Sequence, residues 1–315
     1  MKAVKSALAK AAGTPWVVSL VCVAAFLACW YLLPLMRVDR LCALVSDAAG
    51  KKAAAAVFLF VTLSSAFVTM LLQFAFVYKL IEQRFALWVY IVFFFAGLLG
   101  MLAILMMIHS HVKTWPPDTT YIKQLRLLAE NINNIRAPHM GVYSVFIVTL
   151  SMAFGYFLSF VVREKNLLVP IMLCCAIIDV WTVSSGFVHS VINKAPAAIG
   201  AVSSSLPAAG MGKFSVISTI GAGDFIFPAM VFACVFRFGF AGRKNFWMIF
   251  AFLYAGMLLI LTGLLPYLPA LVPVCLAVLL ANFREFSLSR REWGYMAIVF
   301  LCLAAALFAV RKIHL

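Results

Sequence analysis

Residues 215–236 read SVISTIGAGDFIFPAMVFACVF, an apolar run that contains a single charged residue, Asp224. A helix that spans the hydrocarbon core of a bilayer needs about 20 apolar residues, so this run predicts a transmembrane helix. A carboxylate inside such a segment is costly, and acids that are kept there commonly serve a function. The run therefore predicts a membrane fold and also supplies a candidate site residue.

The composition of the whole chain agrees with a membrane fold. Of its 315 residues, 66% are hydrophobic and 11% are charged, whereas soluble domains are about 45–50% apolar and about 25% charged. Lys and Arg number 25 against 10 Asp and Glu, a net charge of +15. These basic residues flank apolar runs, so we expect them to set topology and to contact lipid headgroups. The composition excludes a soluble globular protein, and no motif indicates nucleic-acid binding.

Nine apolar segments recur along the chain. They lie near residues 16–36, 53–78, 85–109, 140–162, 167–188, 215–236, 246–265, 269–282 and 294–310. The eighth segment is shorter than a normal span and begins with prolines, which indicates irregular backbone that lines a cavity. We therefore predict an all-α fold, a polytopic transmembrane helical bundle of about nine helices.

The predicted bundle has two parts. Residues 1–162 are predicted to form transmembrane helices 1–4, with an amphipathic helix on the bilayer surface near residues 121–136. Residues 163–315 contain the remaining helices and both buried acids. The short basic loops at residues 237–245 and 284–293 favour a cytoplasmic N-terminus.

Patterns for metal or disulfide chemistry are weak. The eight cysteines form no CxxC pair, and we interpret them as small buried hydrophobic residues. His109 and His111, with Asp118 nearby, have a spacing that a metal site could use. We interpret these histidines as interfacial residues, and we predict no metal and no cofactor.

Two of the ten acids lie well inside apolar segments, Asp179 in the fifth and Asp224 in the sixth. Each lies about nine residues from the outer end of its segment, so two antiparallel helices would hold the carboxyl groups at the same depth. Two facing carboxylates cannot both ionise cheaply, and they are expected to share one proton. In that state, one carboxylate acts as a general base on water and the other as a general acid.

Two other interpretations of these acids stay open. Each Asp can be an isolated protonated residue that bonds to helix backbone or to Thr182, Ser184 or Ser185. The pair can instead belong to a proton- or cation-coupled membrane transporter or channel that depends on carboxylates.

The residues around the acids favour peptide binding. Gly221 and Gly223 leave two positions before Asp224 without side chains, so another backbone can approach closely. Pro228 has no N–H, which removes the helical partner of the Asp224 carbonyl. Prolines also interrupt the start of the eighth segment, at Pro266, Pro269 and Pro273. The backbone groups that they leave unpaired can bond to an unwound substrate strand.

Three features occur in order on apolar segments: the buried Asp179, the glycines before Asp224, and the prolines at the start of the eighth segment. Together they resemble the GxGD intramembrane aspartyl proteases, the group that contains presenilins, signal peptide peptidases and their prokaryotic homologues. The GxGD motif corresponds to Gly221-Ala222-Gly223-Asp224, the first catalytic acid to Asp179, and the PAL motif to Pro269-Ala270-Leu271. The resemblance covers about 115 residues, from 167 to 282, and it is closer to signal peptide peptidases than to presenilins.

The resemblance implies an intramembrane-cleaving aspartyl endopeptidase that hydrolyses peptide bonds in transmembrane segments or signal peptides. Asp179 and Asp224 would form its catalytic dyad. The implied substrate-binding residues are those of the two short motifs: Gly221, Ala222, Gly223, Pro269, Ala270 and Leu271. The implied partners are transmembrane-helix or signal-peptide substrates and membrane lipid. We expect an integral multi-pass protein of a prokaryotic plasma membrane rather than of the endoplasmic reticulum.

The chain departs from the family pattern at two points. Ile178 stands where the family usually has Tyr before the first acid. Family members usually carry the two acids on helices six and seven and the PAL motif on helix nine, whereas this sequence places them on helices five, six and eight. By the same resemblance, the loop at residues 189–214 is expected to supply a second strand that orders when substrate arrives.

Overall fold

The computed structural model describes residues 15–111, 138–185, 201–207, 216–264 and 268–286, together with residue 294. This part of the chain is mostly helical. Its α-helices are α1 Pro15–Leu32, α2 Val38–Ala49, α3 Lys51–Glu82, α4 Leu87–His111, α5 Pro138–Leu158, α6 Leu168–Ser184, α7 Gly223–Phe238, α8 Gly242–Leu261 and α9 Leu271–Asn282. Short 3-10 turns follow α1 and α5 at Leu33–Leu35 and Ser159–Val161, and another precedes α6 at Lys165–Leu167.

Six of the described helices are long and apolar enough to cross a bilayer: α1, α3, α4, α5, α6 and α8. The prediction of a helical protein with several membrane spans is confirmed at this level, and the chain is compatible with an integral membrane protein. The predicted ninth segment at residues 294–310 and the surface helix at 121–136 lie outside the described residues, as do the side chains of His109 and His111.

The predicted helix at residues 215–236 is wrong in its first part. Val216–Gly221 forms a strand, β2, which pairs antiparallel with β1, Ser203–Pro207. β2 reads VISTIG, and its β-branched residues favour extended backbone, which a prediction from hydropathy alone does not detect. Strand pairing also satisfies the backbone groups on the facing edges of the two strands in apolar surroundings.

The prediction that Asp224 lies at the same depth as Asp179 assumed a continuous helix over residues 215–236, so the strand removes the basis of that prediction. Six residues of strand advance about 20 Å, whereas six residues of helix advance about 9 Å. Part of the loop at residues 189–214 forms β1, which pairs with β2, and the effect of substrate on this strand stays a prediction.

The sequence analysis missed the short helix α2. It carries Asp39, Arg40 and Asp47 and is therefore too polar to span a bilayer. It packs against α3, with Val38 buried and Leu41 and Leu44 exposed.

The described residues fall into two compact units, which are taken one at a time. The first contains Met1–Phe154 and Ala195–Ala229, and the second contains Gly155–Lys194 and Met230–Leu315. These units follow from contacts within the chain, and the predicted functional boundary at residue 162 stays a prediction.

In the first unit, α1 and α2 pack against α3, and β1 contacts both α1 and α3. A buried apolar cluster joins α1 to α5, and its members are Phe26, Trp30, Met140, Tyr143 and Ile147. Gly141 allows this close packing, because a Cβ at this position would lie 2.7 Å from Trp30 Cγ.

In the second unit, α9 packs against both α6 and α8. Arg237 at the end of α7 donates from its guanidinium to the carbonyl oxygens of Ser159 and Val162, at 2.9 and 3.0 Å. These carbonyls lie at the end of a helical segment, where the Ser159 carbonyl also accepts from the Val162 N–H at 3.1 Å, and the guanidinium adds donors at this helix end.

Candidate functional site

The first candidate acid, Asp179, lies within α6 and is half-buried. Its Oδ2 accepts a hydrogen bond from the backbone N–H of Leu271, at 2.8 Å. The two residues are 92 positions apart in sequence. The described structure thus brings one predicted catalytic residue into direct contact with the predicted PAL segment.

The bond to Asp179 serves as a helix cap for α9. Leu271 is the first residue of α9, and its N-cap Ala270 offers no side-chain hydrogen bond. Val272 N–H bonds to the Pro269 carbonyl at 3.3 Å, and Pro273 has no N–H to satisfy. Asp179 therefore provides a cap that the local sequence lacks, and a carboxylate is favoured at the positive end of a helix.

A close approach of α8 positions the chain that leads into the PAL segment. A Cβ on Gly256 of α8 would lie 2.5 Å from Leu268 Cδ2 and 3.8 Å from Pro273 Cγ. Any larger residue at Gly256 would push against Leu268, the residue directly before Pro269. Gly256 therefore fixes where the PAL segment lies against α8.

The C-terminal end of α9 is joined to the start of α8 by side-chain hydrogen bonds. The side-chain amides of Asn245 and Asn282 form two reciprocal hydrogen bonds, at 2.9 and 2.6 Å, and both residues are buried. Lys244 Nζ also donates to the Ala281 carbonyl at 2.6 Å. We call these contacts the Asn245–Asn282 clasp. Buried amides must pair to offset their desolvation, so the clasp sets the register of α9 against α8.

The second candidate acid, Asp224, lies in the first turn of α7, immediately after β2. The Ala222 carbonyl accepts from the N–H groups of Phe225 and Ile226, at 3.1 and 3.0 Å, and so begins the helix. The Ala222 N–H bonds back to the Val202 carbonyl at 2.9 Å. Asp224 is therefore placed by the change from strand to helix, and it lies where the helix dipole favours negative charge.

The two glycines of the GxGD motif are surrounded by space. Among the described atoms, a Cβ on Gly223 would meet nothing within 4 Å, and a Cβ on Gly221 would meet only Asp224 Oδ2, at 3.7 Å. Neither residue has the positive φ that would require glycine. Within the described part of the chain, neither packing nor backbone conformation explains these glycines.

The hairpin that ends at this motif is held by three polar contacts in an apolar bundle. Gln73 Nε2 on α3 donates to Ser204 Oγ at 2.8 Å. Tyr143 Oη on α5 donates to the Ala201 carbonyl at 2.7 Å. Its neighbour Ser144 accepts from the Ser205 N–H at 3.0 Å. Since hydrogen bonds in such surroundings have few competitors, these contacts fix β1 against α3 and α5.

The candidate residues fall into two groups. Asp179 and the PAL residues belong to the second unit, and the GxGD residues belong to the first. The pairing of the two carboxyl groups into a dyad stays a prediction. Ile178, at the position of the usual family Tyr, is 45% exposed.

Sequence reasoning missed the residues that support the site. Gln73, Asn245 and Asn282 are polar residues in or beside apolar segments, and such residues usually have a partner or a function. Gly256 is a small residue in an apolar helix, which commonly marks a helix contact. These signals identify the residues but not their partners, because the partners are distant in sequence.

Comparisons with protein-family models, with curated proteins and with solved structures found no match to this chain.

Proposed function

We propose that this protein is an intramembrane aspartyl endopeptidase of the GxGD type, which hydrolyses peptide bonds in transmembrane segments or signal peptides. The observation that carries the proposal is the hydrogen bond from the Leu271 N–H to the Asp179 carboxylate. The sequence motifs alone predict that these two segments work together. An acid inside an apolar helix is costly to keep, and this acid contacts the segment that the PAL resemblance implicates, which favours a functional explanation.

The proposed chemistry uses Asp179 and Asp224 with one shared proton. The ionised carboxylate removes a proton from a water, whose oxygen attacks the scissile carbonyl carbon. The protonated acid gives its proton to the carbonyl oxygen, which forms a neutral tetrahedral intermediate. As the C–N bond breaks, the carboxyl group that took the water's proton gives it to the amine nitrogen, and the other carboxylate takes a hydroxyl proton from the intermediate, so that the dyad is again singly protonated. The reaction needs no metal or cofactor.

The proposed substrate binds as an extended strand. Among the residues that the structure describes, the sheet contains two strands, so one edge of β2 has no third strand beside it. A peptide unwound from its helix has unpaired N–H and C=O groups, and it must find partners for them in a site with little water. Strand addition to β2 would supply these partners next to Asp224.

The open space at Gly221 and Gly223 supports the same binding mode. A substrate backbone that passes beside the acid needs room within van der Waals distance, and glycine provides it. We further propose that the chain has about nine transmembrane helices, resembles signal peptide peptidases in architecture and lies in a prokaryotic plasma membrane.

The proposal is tested with purified protein in detergent micelles or liposomes. We expect it to cleave a synthetic transmembrane peptide, with products identified by mass spectrometry. A transition-state analogue of aspartyl proteases should block cleavage, whereas EDTA should not. Asp179→Asn should be inactive while it retains the helical circular dichroism of the wild type.

The same preparation separates the transporter alternative from the protease. Proteoliposomes loaded with a pH-sensitive dye report proton flux. Flux that depends on Asp179 and Asp224, in the absence of peptide cleavage, would support a carboxylate-dependent transporter and reject the protease.

A further inference from the structure

The short helix α2 joins two helices that can cross a membrane. The apolar span that contains α1 ends at Leu35, and α2 begins three residues later at Val38. Only Gly50 separates the end of α2 from α3, the next span, which begins at Lys51. Because a membrane span ends or begins next to each end of α2, this helix is held close to the boundary between lipid and water.

The side chains of α2 divide into three faces. One face is turned towards the protein, since Val38 is buried and the Cys42 thiol donates to the Ala54 carbonyl of α3 at 3.7 Å. A second face carries Leu41 and Leu44, which are exposed. A helix turns by about 100° per residue, so the centre of the exposed charged residues lies about 110° around the axis from these leucines. The charged residues are Asp39, Arg40 and Asp47.

The exposed leucines of α2 continue an apolar surface that begins on the preceding span. Leu32, Leu35 and Met36, at the end of that span, are also exposed, and Leu35 and Leu44 are 67% and 68% exposed. An exposed apolar surface of this kind marks a site of contact with lipid or protein. A helix with one charged face and one exposed apolar face is typical of the bilayer interface.

The charges around α2 indicate which of these partners covers the surface. Four exposed basic residues lie on α2 or within two residues of its neighbouring spans: Arg37, Arg40, Lys51 and Lys52. Within the described part of the chain, none of the four forms an ion pair with an acid. Basic side chains at the bilayer surface attract anionic headgroups, and arginine can bind a phosphate through two parallel hydrogen bonds. A second copy of this chain is a poor match, because it has 10 acids against 25 basic residues.

We propose that α2 lies in the interfacial layer of the bilayer and binds anionic phospholipid. Leu41 and Leu44 would contact the acyl chains, while Arg37 and Arg40 would contact the phosphate groups. The connection between α1 and α3 would then be a lipid-binding anchor rather than a loop in water. This inference does not rest on the proposed protease activity.

The test is photocrosslinking of the full-length protein in liposomes. Photoreactive benzoylphenylalanine replaces Leu44, Asp47 or Leu99 in three separate variants, and all three residues are exposed. Leu99 lies within the span formed by α4 and is the lipid-facing control. Mass spectrometry should find phospholipid adducts at position 44 with a yield similar to that at position 99, and several-fold fewer at position 47. Lipid adducts no more frequent at position 44 than at position 47, or adducts to a second protein copy at position 44, overturn the proposal.

The headgroup preference is read from the same adducts. The liposomes contain equal amounts of phosphatidylglycerol and phosphatidylcholine with identical acyl chains. Phosphatidylglycerol should be enriched several-fold among the adducts at position 44 relative to those at position 99, and the same lipid ratio at both positions overturns the anionic preference. Arg37→Gln combined with Arg40→Gln should abolish the enrichment, whereas the matched control Asp39→Asn should keep it. Enrichment that survives the loss of both arginines overturns their assignment as phosphate ligands.

Discussion

The two candidate acids are positioned in different ways. Asp179 lies on a continuous helix and is fixed by tertiary contact, because its carboxylate caps α9 through Leu271. Asp224 lies where a strand becomes a helix, and its backbone is placed by the turn at Ala222 and by the hairpin before it. The side chain of Asp179 bonds to a segment 92 residues away, whereas the backbone of Asp224 is placed by the hairpin that leads into its own helix.

This difference shows two ways in which backbone structure positions a half-buried carboxylate. Near Asp179, the start of another helix supplies a backbone donor. Near Asp224, the dipole of its own helix favours the negative charge. We therefore expect mutations in the PAL segment to affect Asp179 and mutations in the hairpin and its supporting residues to affect Asp224.

The largest effect is expected from the acids themselves. Asp179→Asn and Asp224→Asn should each lower peptide cleavage by about 10²–10⁴-fold, because general acid–base catalysis is worth this much. The double variant should lose little more than either single variant, since the two groups would act as one unit. Initial rates with a fluorogenic transmembrane peptide measure all three. If the fold losses in cleavage rate of the two single variants multiply in the double variant, the two acids do not act as one unit.

The pH dependence is expected to be bell-shaped. At low pH both carboxyl groups are protonated and no base remains, whereas at high pH both are ionised and no acid remains. The rate should fall by about tenfold per pH unit on each side of the optimum. A pH series of kcat/KM in one detergent measures the profile. A rate that keeps rising into the alkaline range would contradict a shared proton.

The hydrogen bond at Asp179 can be removed without changing the acid. Leu271→Pro deletes the N–H donor at a helix position where proline is common, and it also disfavours the αR backbone conformation of Ala270, which adds to the loss. A hydrogen bond to a charged group is worth about 1.5–3 kcal/mol, so cleavage should fall by roughly 10- to 100-fold. Leu271→Ala keeps the N–H and is the matched control, with a smaller loss. Equal losses in the two variants would show that only the Leu271 side chain matters.

The glycines near Asp224 allow a test of local space. Gly223→Ala should leave the thermal unfolding temperature unchanged, since a Cβ there meets nothing within 4 Å, but it should impair cleavage by narrowing the substrate path. Gly141→Ala is the contrasting variant, because its Cβ would lie 2.7 Å from Trp30 Cγ. This variant should unfold at a lower temperature. If Gly223→Ala cleaves normally, the open space has no role in substrate binding.

The smallest effect is expected where the hairpin is anchored. Tyr143→Phe removes the hydrogen bond to the Ala201 carbonyl and keeps the ring in its apolar cluster. The loss should be about 1 kcal/mol of stability, measured by thermal unfolding in detergent. Since Tyr143 supports the hairpin before Asp224, the variant should not lower the stability of the region around Asp179. An equal loss of stability around Asp179 would mean that the two acids are not supported independently.

Hydropathy correctly predicted a mostly helical chain with several helices long enough to cross a bilayer, because a span of about 20 apolar residues has few alternatives there. It failed at residues 216–221, where β-branched residues and a distant partner strand favour a sheet. It also missed α2, which has only 12 residues and carries charges at Asp39, Arg40 and Asp47, so it forms no long apolar run. The candidate acids were found from their rarity in apolar runs. Their supporting residues could not be, because contacts such as Asn245 with Asn282 depend on tertiary packing.

The short helix α9 has a consequence for how the bilayer acts on the site. With 12 residues it is about 18 Å long, well below the hydrocarbon thickness of about 30 Å, whereas α8 with 20 residues matches that thickness. The Asn245–Asn282 clasp ties one end of α9 to α8, and Gly256 holds the chain before the other end. A thicker or thinner bilayer would change the tilt of α8, and α9 would move with it. Lipid chain length should therefore shift the depth at which Leu271 and Asp179 meet.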